Sequence, residues 1–394
     1  MAFRGLAIAA NRAVRAGRSK KIVRRSTGRS LGWPAVSPRT RYHDPMKTTS
    51  RSLCLTLLAG LLLVPVWAQD GKAPDGAFKK GKKGPPPIDD SVPQAPASLP
   101  GKGLAYRDFL YCGQSGQSFY VVKGGKVAWS YNQPGARGEM QEATMLSNGH
   151  VLFAWMLGIK EVGPDQKVVW SYDAPPKTEI HTARAIGKDK VLFVQNGNPA
   201  QVMLATKSTN KVEVLFTIPA GAPDNPHNQT RRAWLTDAGT MVLAHTDLNK
   251  VVEYDETGKS IWSVDAARPY SVQRLANGNT LITSFDVFIR EFDRQGKVVW
   301  EFTPENMKAQ GYVPGKWCVA TRLKNGNTLL TNNARWSSTA NEANGPVQAI
   351  EITPDKKIAW ALRSWKDPAF NPSCSLQFLD EPGPQEREHF GKIK

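Results

Sequence analysis

The sequence is poor in cysteine and histidine, with 4 and 6 residues respectively in a chain of 394. No two cysteines are adjacent or spaced Cys-x-x-Cys, and no two histidines are spaced His-x-x-x-His. Such spacings are typical of zinc sites, so the pattern does not indicate a metal centre. The main apolar run, Leu53–Trp67, has about 15 residues, whereas a membrane span needs about 20. The sequence therefore indicates neither a common zinc motif nor a transmembrane helix.

Acidic residues are scarce relative to basic ones, and the formal net charge is +18. The excess is concentrated near the N-terminus: residues 1–45 contain eleven lysines and arginines but only Asp44, and residues 46–103 contain eight against four aspartates. The chain from Leu104 onward is left with about +4. A nearly balanced body has no electrostatic footprint for nucleic acid, so we expect no nucleic-acid partner.

Three N-terminal segments precede this body. Residues 46–68 combine a basic start, the apolar run and a Val66-x-Ala68 cleavage site, which favours a secretory signal peptide over an uncleaved anchor. No cysteine follows the run, so a lipoprotein is not indicated. Residues 1–45 form a basic leader, either an incorrectly assigned start or a targeting segment. Residues 69–103 are rich in proline and lysine without apolar periodicity, so we expect a disordered linker. The chain is therefore expected to be exported, periplasmic or secreted, without a transmembrane span after signal cleavage.

One phrase recurs along the body, a turn followed by β-branched residues and an aromatic residue. Its six copies are KGGKVAWSY (123–131), PDQKVVWSY (164–172), STNKVEVLF (208–216), ETGKSIWSV (256–264), RQGKVVWEF (294–302) and PDKKIAWAL (354–362). Valine replaces tryptophan in the third copy, and successive copies lie 38 to 60 residues apart. Self-similarity at this period, with several short strands per unit, is typical of a β-propeller.

Four strands are predicted in each unit, with a tight Asn-Gly-Asn turn after the first strand in several of them. We expect the recurrent tryptophan to pack against the neighbouring blade rather than to bind a ligand. The repeats begin with three strands and end with a lone strand, Cys374–Asp380, which can complete the first blade. We therefore predict an all-β fold over residues 104–383: a six-bladed β-propeller of four-stranded antiparallel blades, closed by N- and C-terminal strands that share one blade. Residues 384–394 form a C-terminal tail.

The repeats resemble those of exported bacterial propellers in the broad quinoprotein-like (PQQ-like) and arylsulfotransferase-like group, over about Tyr106–Pro382. In that group, quinoprotein dehydrogenases have eight blades, an adjacent cysteine pair and an acidic calcium cluster. Bacterial arylsulfotransferases are six-bladed periplasmic enzymes in which a histidine accepts the sulfuryl group. Six blades without an adjacent cysteine pair imply no bound PQQ, and no cofactor is predicted. Tyr270 stands near the place where arylsulfotransferases often have histidine, so no catalytic residue is carried over.

Long loops are predicted on one face of the ring, where fourth-to-first and second-to-third strand connections meet. The insertions on this face are 217–230, 303–317, 332–346 and 363–373. Long loops on a rigid ring, around a central channel, are where ligand contacts usually lie.

Polar residues in or beside these loops are the candidate site. We predict catalytic roles for His181, His227 and His245, and ligand-binding roles for Arg184, Arg231, Arg232, Arg335, Trp336, Trp155 and Glu179. Imidazoles with arginines can grip a carboxylate, sulfate or sugar, or act in acid–base and nucleophilic chemistry; a structural role is the alternative for each residue. Glu139 and Glu142 are expected near the same mouth. Glu179-x-His181 with His227 resembles the start of a metal site, but without a recognised spacing we expect no metal.

Three cysteines remain after signal cleavage. Cys318 and Cys374 occupy equivalent positions on the inner strands of adjacent blades. A disulfide between them is a candidate in an oxidising compartment, and two buried free thiols are the alternative.

Two functional hypotheses remain. The first is an exported propeller that binds a small anionic or carbohydrate ligand, or a protein partner, at the loop-rich face of the channel. The alternative is a periplasmic enzyme of arylsulfotransferase-like or lytic type that uses a histidine and arginine cluster. The enzyme hypothesis requires His181, His227 and His245 to meet within about 8 Å with an arginine among them.

Overall fold

The computed structural model describes residues 93–115, 118–133, 138–285, 288–334, 342–381, 386 and 389–394. The predicted leader and signal peptide, residues 69–92 of the predicted linker, and the site candidates Arg335 and Trp336 lie outside these ranges. Within the described ranges, no helix combines the length and the apolar character that crossing a bilayer requires.

Six four-stranded antiparallel sheets account for most of the described chain. Five of them use four strands consecutive in sequence, and one combines the last strand of the chain with the first three. This arrangement confirms the predicted six-bladed β-propeller and its closure. Blades are numbered here from the one that closes the ring.

The strands of each blade are given in chain order. Blade 1 contains β1 (Phe109–Gly113), β2 (Ser118–Lys123), β3 (Lys126–Asn132) and β24 (Ser373–Phe378); blade 2 contains β4 (Met140–Met145), β5 (Val151–Trp155), β6 (Gly158–Val162) and β7 (Val168–Asp173); blade 3 contains β8 (Glu179–Ile186), β9 (Lys190–Asn196), β10 (Ala200–Thr206) and β11 (Lys211–Ile218). Blade 4 contains β12 (Thr230–Leu235), β13 (Met241–His245), β14 (Lys250–Tyr254) and β15 (Ser260–Asp265); blade 5 contains β16 (Pro269–Arg274), β17 (Thr280–Ser284), β18 (Phe288–Phe292) and β19 (Val298–Phe302); blade 6 contains β20 (Lys316–Arg322), β21 (Thr328–Asn333), β22 (Ala349–Ile352) and β23 (Ile358–Leu362).

Short helices lie in the connections between strands. One α-helix, α1 (Pro304–Lys308), joins blades 5 and 6, and the described 3₁₀ turns are Gly103–Ala105, Lys207–Thr209, Pro226–Asn228 and Glu342–Asn344.

Blade 1 is completed by both ends of the propeller domain. β24 pairs antiparallel with β1, with Phe109 opposite Phe378 and Tyr111 opposite Leu376. These side chains are buried with Phe370, whose ring stacks on that of Tyr111 at 4.7 Å between centroids. The pairing gives blade 1 the same four strands as the other blades and joins the two ends of the domain, which closes the ring.

The Asn-Gly-Asn turn of blade 5 shows why the repeated residues recur. Gly278 has φ of +86°, a conformation that residues with a Cβ rarely adopt. Next to it, Asn279 Nδ2 donates to Glu291 Oε1 on the third strand at 2.7 Å. Glu291 also accepts a hydrogen bond from Arg322 of blade 6 at 2.9 Å. Hydrogen bonds through Glu291 thus join the turn of blade 5 to blade 6.

The recurrent tryptophans join each blade to its neighbour. In four of them the indole N–H donates, at 2.9 to 3.0 Å, to a backbone carbonyl of the next blade or of the segment that leads into it. These four are Trp129, Trp262, Trp300 and Trp360. Arg274 of blade 5 also covers the ring of Trp262, at 4.7 Å from its centroid. These contacts confirm the expectation that the tryptophans pack between blades.

The apolar cores likewise lie between blades. One cluster combines Leu281 and Phe302 of blade 5 with Trp317, Leu330 and Ile350 of blade 6, all fully buried or nearly so. Because each sheet buries its face against the next, the blades stabilise one another.

Residues 93–103 correct the predicted extent of the disordered linker. Ala95 is buried with Met307 and Tyr312 in the core beside blade 6. Gln94 N donates to the carbonyl oxygen of Asn344, in the loop between β21 and β22, and Val313 N, in the loop before β20, donates to the carbonyl oxygen of Gln94. The prediction was wrong for this segment because proline-rich composition reports local disorder and cannot reveal a docking surface supplied by a distant blade.

The predicted C-terminal tail packs against blades 3 and 4 through its described residues. Phe390 is fully buried in the core that those blades share. Gly391 N donates to the carbonyl oxygen of Gly239 at 2.8 Å. Lys190 Nζ donates to the backbone oxygen of Lys394 at 2.6 Å. The tail is thus part of the folded propeller.

The three cysteines of the described ranges are free and buried. No bond joins Cys318 and Cys374, which corrects the candidate disulfide. Cys374 lies on β24, beside β1 of the same blade, and its Sγ is 3.1 Å from Cys112 Sγ. Equivalent positions in adjacent blades are separated by the packing of two sheets, whereas a cross-strand neighbour is within contact distance.

Candidate functional site

Polar side chains gather where the inner strands of blades 2 to 4 begin, on the face of the fourth-to-first connections. Glu179 and His181 lie at the start of β8, and Arg231 lies at the start of β12. His227 belongs to the 3₁₀ turn in the connection before β12. The predicted loop-rich face is therefore where the candidate residues meet.

The inner strands are irregular at this end. The pairing register shifts between Ile180 and Ala183 in β8, and between Thr230 and Ala233 in β12. A register shift of this kind places extra residues in one strand and redirects their side chains. His181 and Arg231 lie inside these two irregular segments, so simple strand alternation does not predict their orientation.

Glu179, His181 and His227 form one contact cluster. Glu179 Oε2 lies 2.8 Å from His181 Nε2 and 2.9 Å from His227 Nδ1. The two imidazole rings are nearly perpendicular, with centroids 5.5 Å apart. One ligating atom from each residue lies within 4.8 Å of those of the other two. His181 is fully buried, whereas about a third of the His227 side chain is exposed.

The other nitrogen of His181 faces the backbone of blade 4. Its Nδ1 lies 2.9 Å from the carbonyl oxygen of Thr230. Asn196 Nδ2 lies 3.2 Å from the same nitrogen and donates to the same carbonyl at 2.9 Å. Asn196 Oδ1 in turn accepts from the Thr230 hydroxyl at 2.5 Å. His181 is thus held at both ring nitrogens.

The protonation of this cluster follows from burial and charge. Burial, reinforced by the positive charge of Arg231, lowers the pKa of His181 to about 3, against the opposing effect of Glu179. Burial alone would raise the pKa of Glu179, but hydrogen bonds from His181 and His227 lower it to about 2. At neutral pH, His181 is therefore neutral and Glu179 is ionised.

Arg231 is a buried charge that has no counterion among the described residues. Arg231 is 3% exposed, and its guanidinium lies 5.6 Å from the ring centroid of Tyr270 and 5.3 Å from that of Phe285. The described residues provide it with no ion pair or hydrogen bond, and its Nε is buried without a partner. Burial lowers the pKa of Arg231, while Tyr270, Glu139 and Glu179 act in the opposite direction.

The other two predicted arginines within the described residues are occupied by structural contacts. Arg184 Nη2 pairs with Glu142 at 2.6 Å, and its Nε donates to the carbonyl oxygen of Ala233 at 2.8 Å. Arg232 is fully buried and donates to the carbonyl oxygens of Gln141 and His181. Both therefore tie neighbouring blades together.

Two further predicted site residues lie apart from this cluster. His245 is fully buried on β13, and its Nε2 lies 2.9 Å from the Tyr254 hydroxyl. None of the contacts among the described residues joins it to His181 or His227. Trp155 is also buried, packed beside Phe153 with the Lys160 ammonium 5.1 Å from its ring centroid.

We expect His245 to make the fold sensitive to acid. Burial lowers the pKa of His245 to about 4, whereas a histidine in the unfolded chain has about 6.5. Below pH 6.5 the unfolded chain binds a proton that the folded chain excludes, so this stability is complete above 6.5 and is lost as the pH falls toward 4. In urea unfolding between about pH 7 and pH 5, wild type should lose about 2 kcal/mol more than His245→Gln. Parallel curves for the two proteins would contradict this assignment.

Sequence reasoning missed the residues that orient the cluster. Asn196 ends β9, and its side-chain amide and the carbonyl oxygen of Thr230 both contact His181 Nδ1. Their signal was weak: Asn196 is the last residue of the second strand of its blade and begins a polar stretch like many turns. The only indication in the sequence that Asn196 could belong to a site was its polar side chain at the end of a strand.

Comparisons with known proteins agree with this architecture. A family model described as outer membrane protein assembly factor BamB matches residues 158–349, and no curated protein matches the sequence. A solved protein of unknown function from Bacteroides caccae has a TM-score of 0.57 at 22% identity, covering 68% of this chain and 97% of its own.

Two other solved propellers are more distant. A virginiamycin B lyase from Staphylococcus aureus has a TM-score of 0.40 at 15% identity, covering 56% of this chain and 68% of its own. BamB from Moraxella catarrhalis has a TM-score of 0.36 at 14% identity, covering 57% of this chain and 64% of its own. The six four-stranded blades show that the chain is a β-propeller, and over residues 158–349 its sequence is similar to that of PQQ-like propellers.

Proposed function

We propose that this PQQ-like propeller is exported and binds a small anionic ligand at the mouth of its channel, with Arg231 as the principal contact. The observation that carries the proposal is the isolation of Arg231, a buried guanidinium with no counterion among the described residues. Binding of an anion would neutralise this charge.

An unpaired buried charge destabilises a folded chain. Removing an ion from water costs several kcal/mol unless a counterion or hydrogen bonds offset the loss. The rings of Tyr270 and Phe285 each provide attraction of about 2 kcal/mol at a desolvated site, which offsets part of this cost. A carboxylate, sulfate or phosphate group can accept two parallel hydrogen bonds from a guanidinium and so completes the environment.

The nearby carboxylates do not fill this role. Glu179 contacts the ring nitrogens of two histidines, and Glu142 is paired with Arg184. Glu139 lies close enough to influence Arg231 electrostatically, but its carboxylate accepts from Gln114. An anionic ligand therefore fits the site better than a neutral sugar, which supplies no charge. A protein partner would need to insert an acidic side chain.

Ligand binding is favoured over group transfer by the position of the histidines. The described contacts bring His181 and His227 together, while His245 is bonded to Tyr254 within its own blade. Arg184 and Arg232 already have structural partners, so of the three predicted arginines that the structure describes, Arg231 is left for a ligand. The proposal requires no quinone cofactor.

Export is supported by the signal-like residues 46–68, which combine a basic start, an apolar run and a small-residue cleavage site. Mass spectrometry of the mature N-terminus tests this part of the proposal. Gln69 as the first residue supports it, and an intact N-terminal leader contradicts it.

The anion site is tested with small anions and an arginine variant. Sulfate, phosphate, acetate and succinate are added to the purified chain, and the melting temperature is followed. An anion at about 100 times its Kd should stabilise the fold by about 2.7 kcal/mol, or about 5 °C. Arg231→Met should abolish this shift, because methionine retains the volume but not the charge.

Arg290→Met is the matched control. Arg290 also lies over an aromatic ring, Phe288, but it is paired with Glu301 on the outer part of blade 5. This variant has the same change in net charge and should keep the full anion response. Equal responses in Arg231→Met and Arg290→Met, or no response in wild type, would reject the Arg231 site.

A further inference from the structure

The contacts of His181 leave one proton unaccounted for. A neutral imidazole carries a single N–H, so only one of its two nitrogens can donate. Both nitrogens of His181 nevertheless face acceptor oxygens, Thr230 O at 2.9 Å and Glu179 Oε2 at 2.8 Å. A carbonyl oxygen cannot donate, so the contact with Thr230 O takes the one proton of the neutral imidazole at Nδ1. Nε2 then presents its lone pair to the carboxylate of Glu179 in a buried environment.

A cation beside Glu179 removes this conflict. With the proton on Nδ1, His181 donates to Thr230 O, and Asn196 Nδ2 donates to the same carbonyl. The unprotonated Nε2 then faces Glu179 as a ligand rather than as a donor. Histidines that bind metals commonly donate their second N–H to a backbone carbonyl, which fixes the ring and its tautomer.

The third ligand is supplied by the loop before β12. His227 Nδ1 lies 2.9 Å from the same carboxylate oxygen, and the ligating atoms of the three residues lie within 4.8 Å of one another. Around tetrahedral zinc, with bonds of about 2.0 to 2.1 Å, ligand atoms are roughly 3.3 Å apart. The present spacing brackets that value, so small side-chain movements would suffice. His227 is partly exposed, which provides an entry path.

The donor set selects the class of metal. Two imidazole nitrogens and one carboxylate suit zinc and neighbouring divalent transition metals, whereas magnesium and calcium prefer oxygen ligands. Three protein ligands leave at least one open coordination position. The local charge also matters: a carboxylate ligand balances one positive charge of the metal, and the guanidinium of Arg231 is close enough to act electrostatically on His181. A bound anion would balance the remainder.

We propose that Glu179, His181 and His227 bind a divalent transition metal ion of the zinc class, with an open position for an exogenous ligand. This departs from the expectation of no metal, which rested on sequence spacing. The metal site stands by itself; its completion by an anion rests on the proposed function of Arg231.

Zinc alone is the probe for the metal site. The full chain, treated with a chelator and dialysed into buffer without coordinating anions, is titrated with Zn²⁺ by calorimetry and in competition with a chromophoric chelator. We expect one site per chain. His227→Gln should weaken its affinity more than about 100-fold, beyond the 10- to 100-fold that loss of an outer partner costs. His227 is partly exposed, so this variant should keep the wild-type melting temperature without metal.

His150→Gln is the matched control for nonspecific histidine binding. His150 Nδ1 also contacts a carboxylate, Glu161, at 2.7 Å, but it has no second histidine beside it. The zinc affinity of the His150→Gln variant should equal that of wild type. Cobalt should give visible absorption bands in wild type and His150→Gln that are absent in His227→Gln. No stoichiometric zinc binding in wild type, or unchanged affinity in His227→Gln, would overturn the proposal.

The anion dependence separates the two proposals. Arg231→Met should retain zinc binding in buffer without coordinating anions, and it should lose only the increase in zinc affinity that a saturating anion produces. Because coupling between two ligands is reciprocal, zinc should also tighten the anion in wild type. Zinc binding without any anion effect would reject the Arg231 function but keep the metal site. Stabilisation by an anion without zinc binding would reject the metal site but keep the Arg231 function.

Discussion

Replacement of Arg232 by methionine should destabilise the folded chain by about 3 to 5 kcal/mol. Arg232 belongs to blade 4, and its guanidinium donates to the carbonyl oxygens of Gln141 in blade 2 and His181 in blade 3. It also lies 5.2 Å from the ring centroid of Tyr270 in blade 5. Methionine fills similar volume but leaves two buried carbonyls without donors. Urea unfolding should show the loss directly, and the melting temperature should fall by about 10 °C.

The control for this change is the loss of an exposed arginine. Arg290→Met removes a partly exposed pair with Glu301, which should change the free energy of unfolding by less than about 1 kcal/mol. If Arg232→Met were as stable as this control, the buried guanidinium would not be holding the blades together.

Truncation of Phe390 to alanine should cost about 3 kcal/mol, at the lower end of the range for buried phenylalanines. Phe390 is fully buried between blades 3 and 4, in contact with the core that includes Tyr254 and Leu243. The ring of Phe216 lies 6.2 Å from that of Phe390, between centroids. Detachment of residues 389–394 from blades 3 and 4 limits the effect to the free energy of docking. Chemical denaturation measures the loss.

Lys392→Ala provides the comparison within the same tail. Lys392 is exposed, and its removal should leave stability within about 0.5 kcal/mol of wild type. Faster proteolysis near the C-terminus in Phe390→Ala, but not in Lys392→Ala, should accompany the lower stability. Identical unfolding midpoints in the two variants would show that the tail does not stabilise blades 3 and 4.

The two proposals concern different parts of one site. Arg231 supplies the charge that attracts an anion, and the cluster of Glu179, His181 and His227 supplies metal ligands. Each has its own readout, so either can fail alone. If both hold, the site is a metal with an open position beside a buried guanidinium, an arrangement that recognises an anion through two contacts.

The blades were predictable because their determinants are local. Turn residues with positive φ, alternation within strands and a tryptophan after one or two β-branched residues all act within a few positions of one another. The strand predicted at Cys374–Asp380 is found at Ser373–Phe378, paired with β1 as expected. The phrase repeated six times needed no tertiary information to indicate a propeller.

The candidate site was only partly predictable. Three arginines, Arg184, Arg231 and Arg232, have similar sequence contexts, yet two are paired and one is isolated. Three histidines were equivalent candidates, yet two meet and His245 is bonded to Tyr254. Register shifts at the starts of the inner strands decide these orientations, and a repeat pattern does not report them.

The sequence by itself determined the number of blades, the closure of the ring and the interblade role of the tryptophans, because turn and strand preferences repeat in every unit. Only the tertiary structure decided which charges are paired, which thiol contacts Cys374, and that residues 93–103 and the C-terminal tail dock. Those contacts join groups far apart in the chain, such as His181 and Thr230, 49 positions apart. Their geometry depends on how neighbouring sheets pack and on where each inner strand departs from regular pairing.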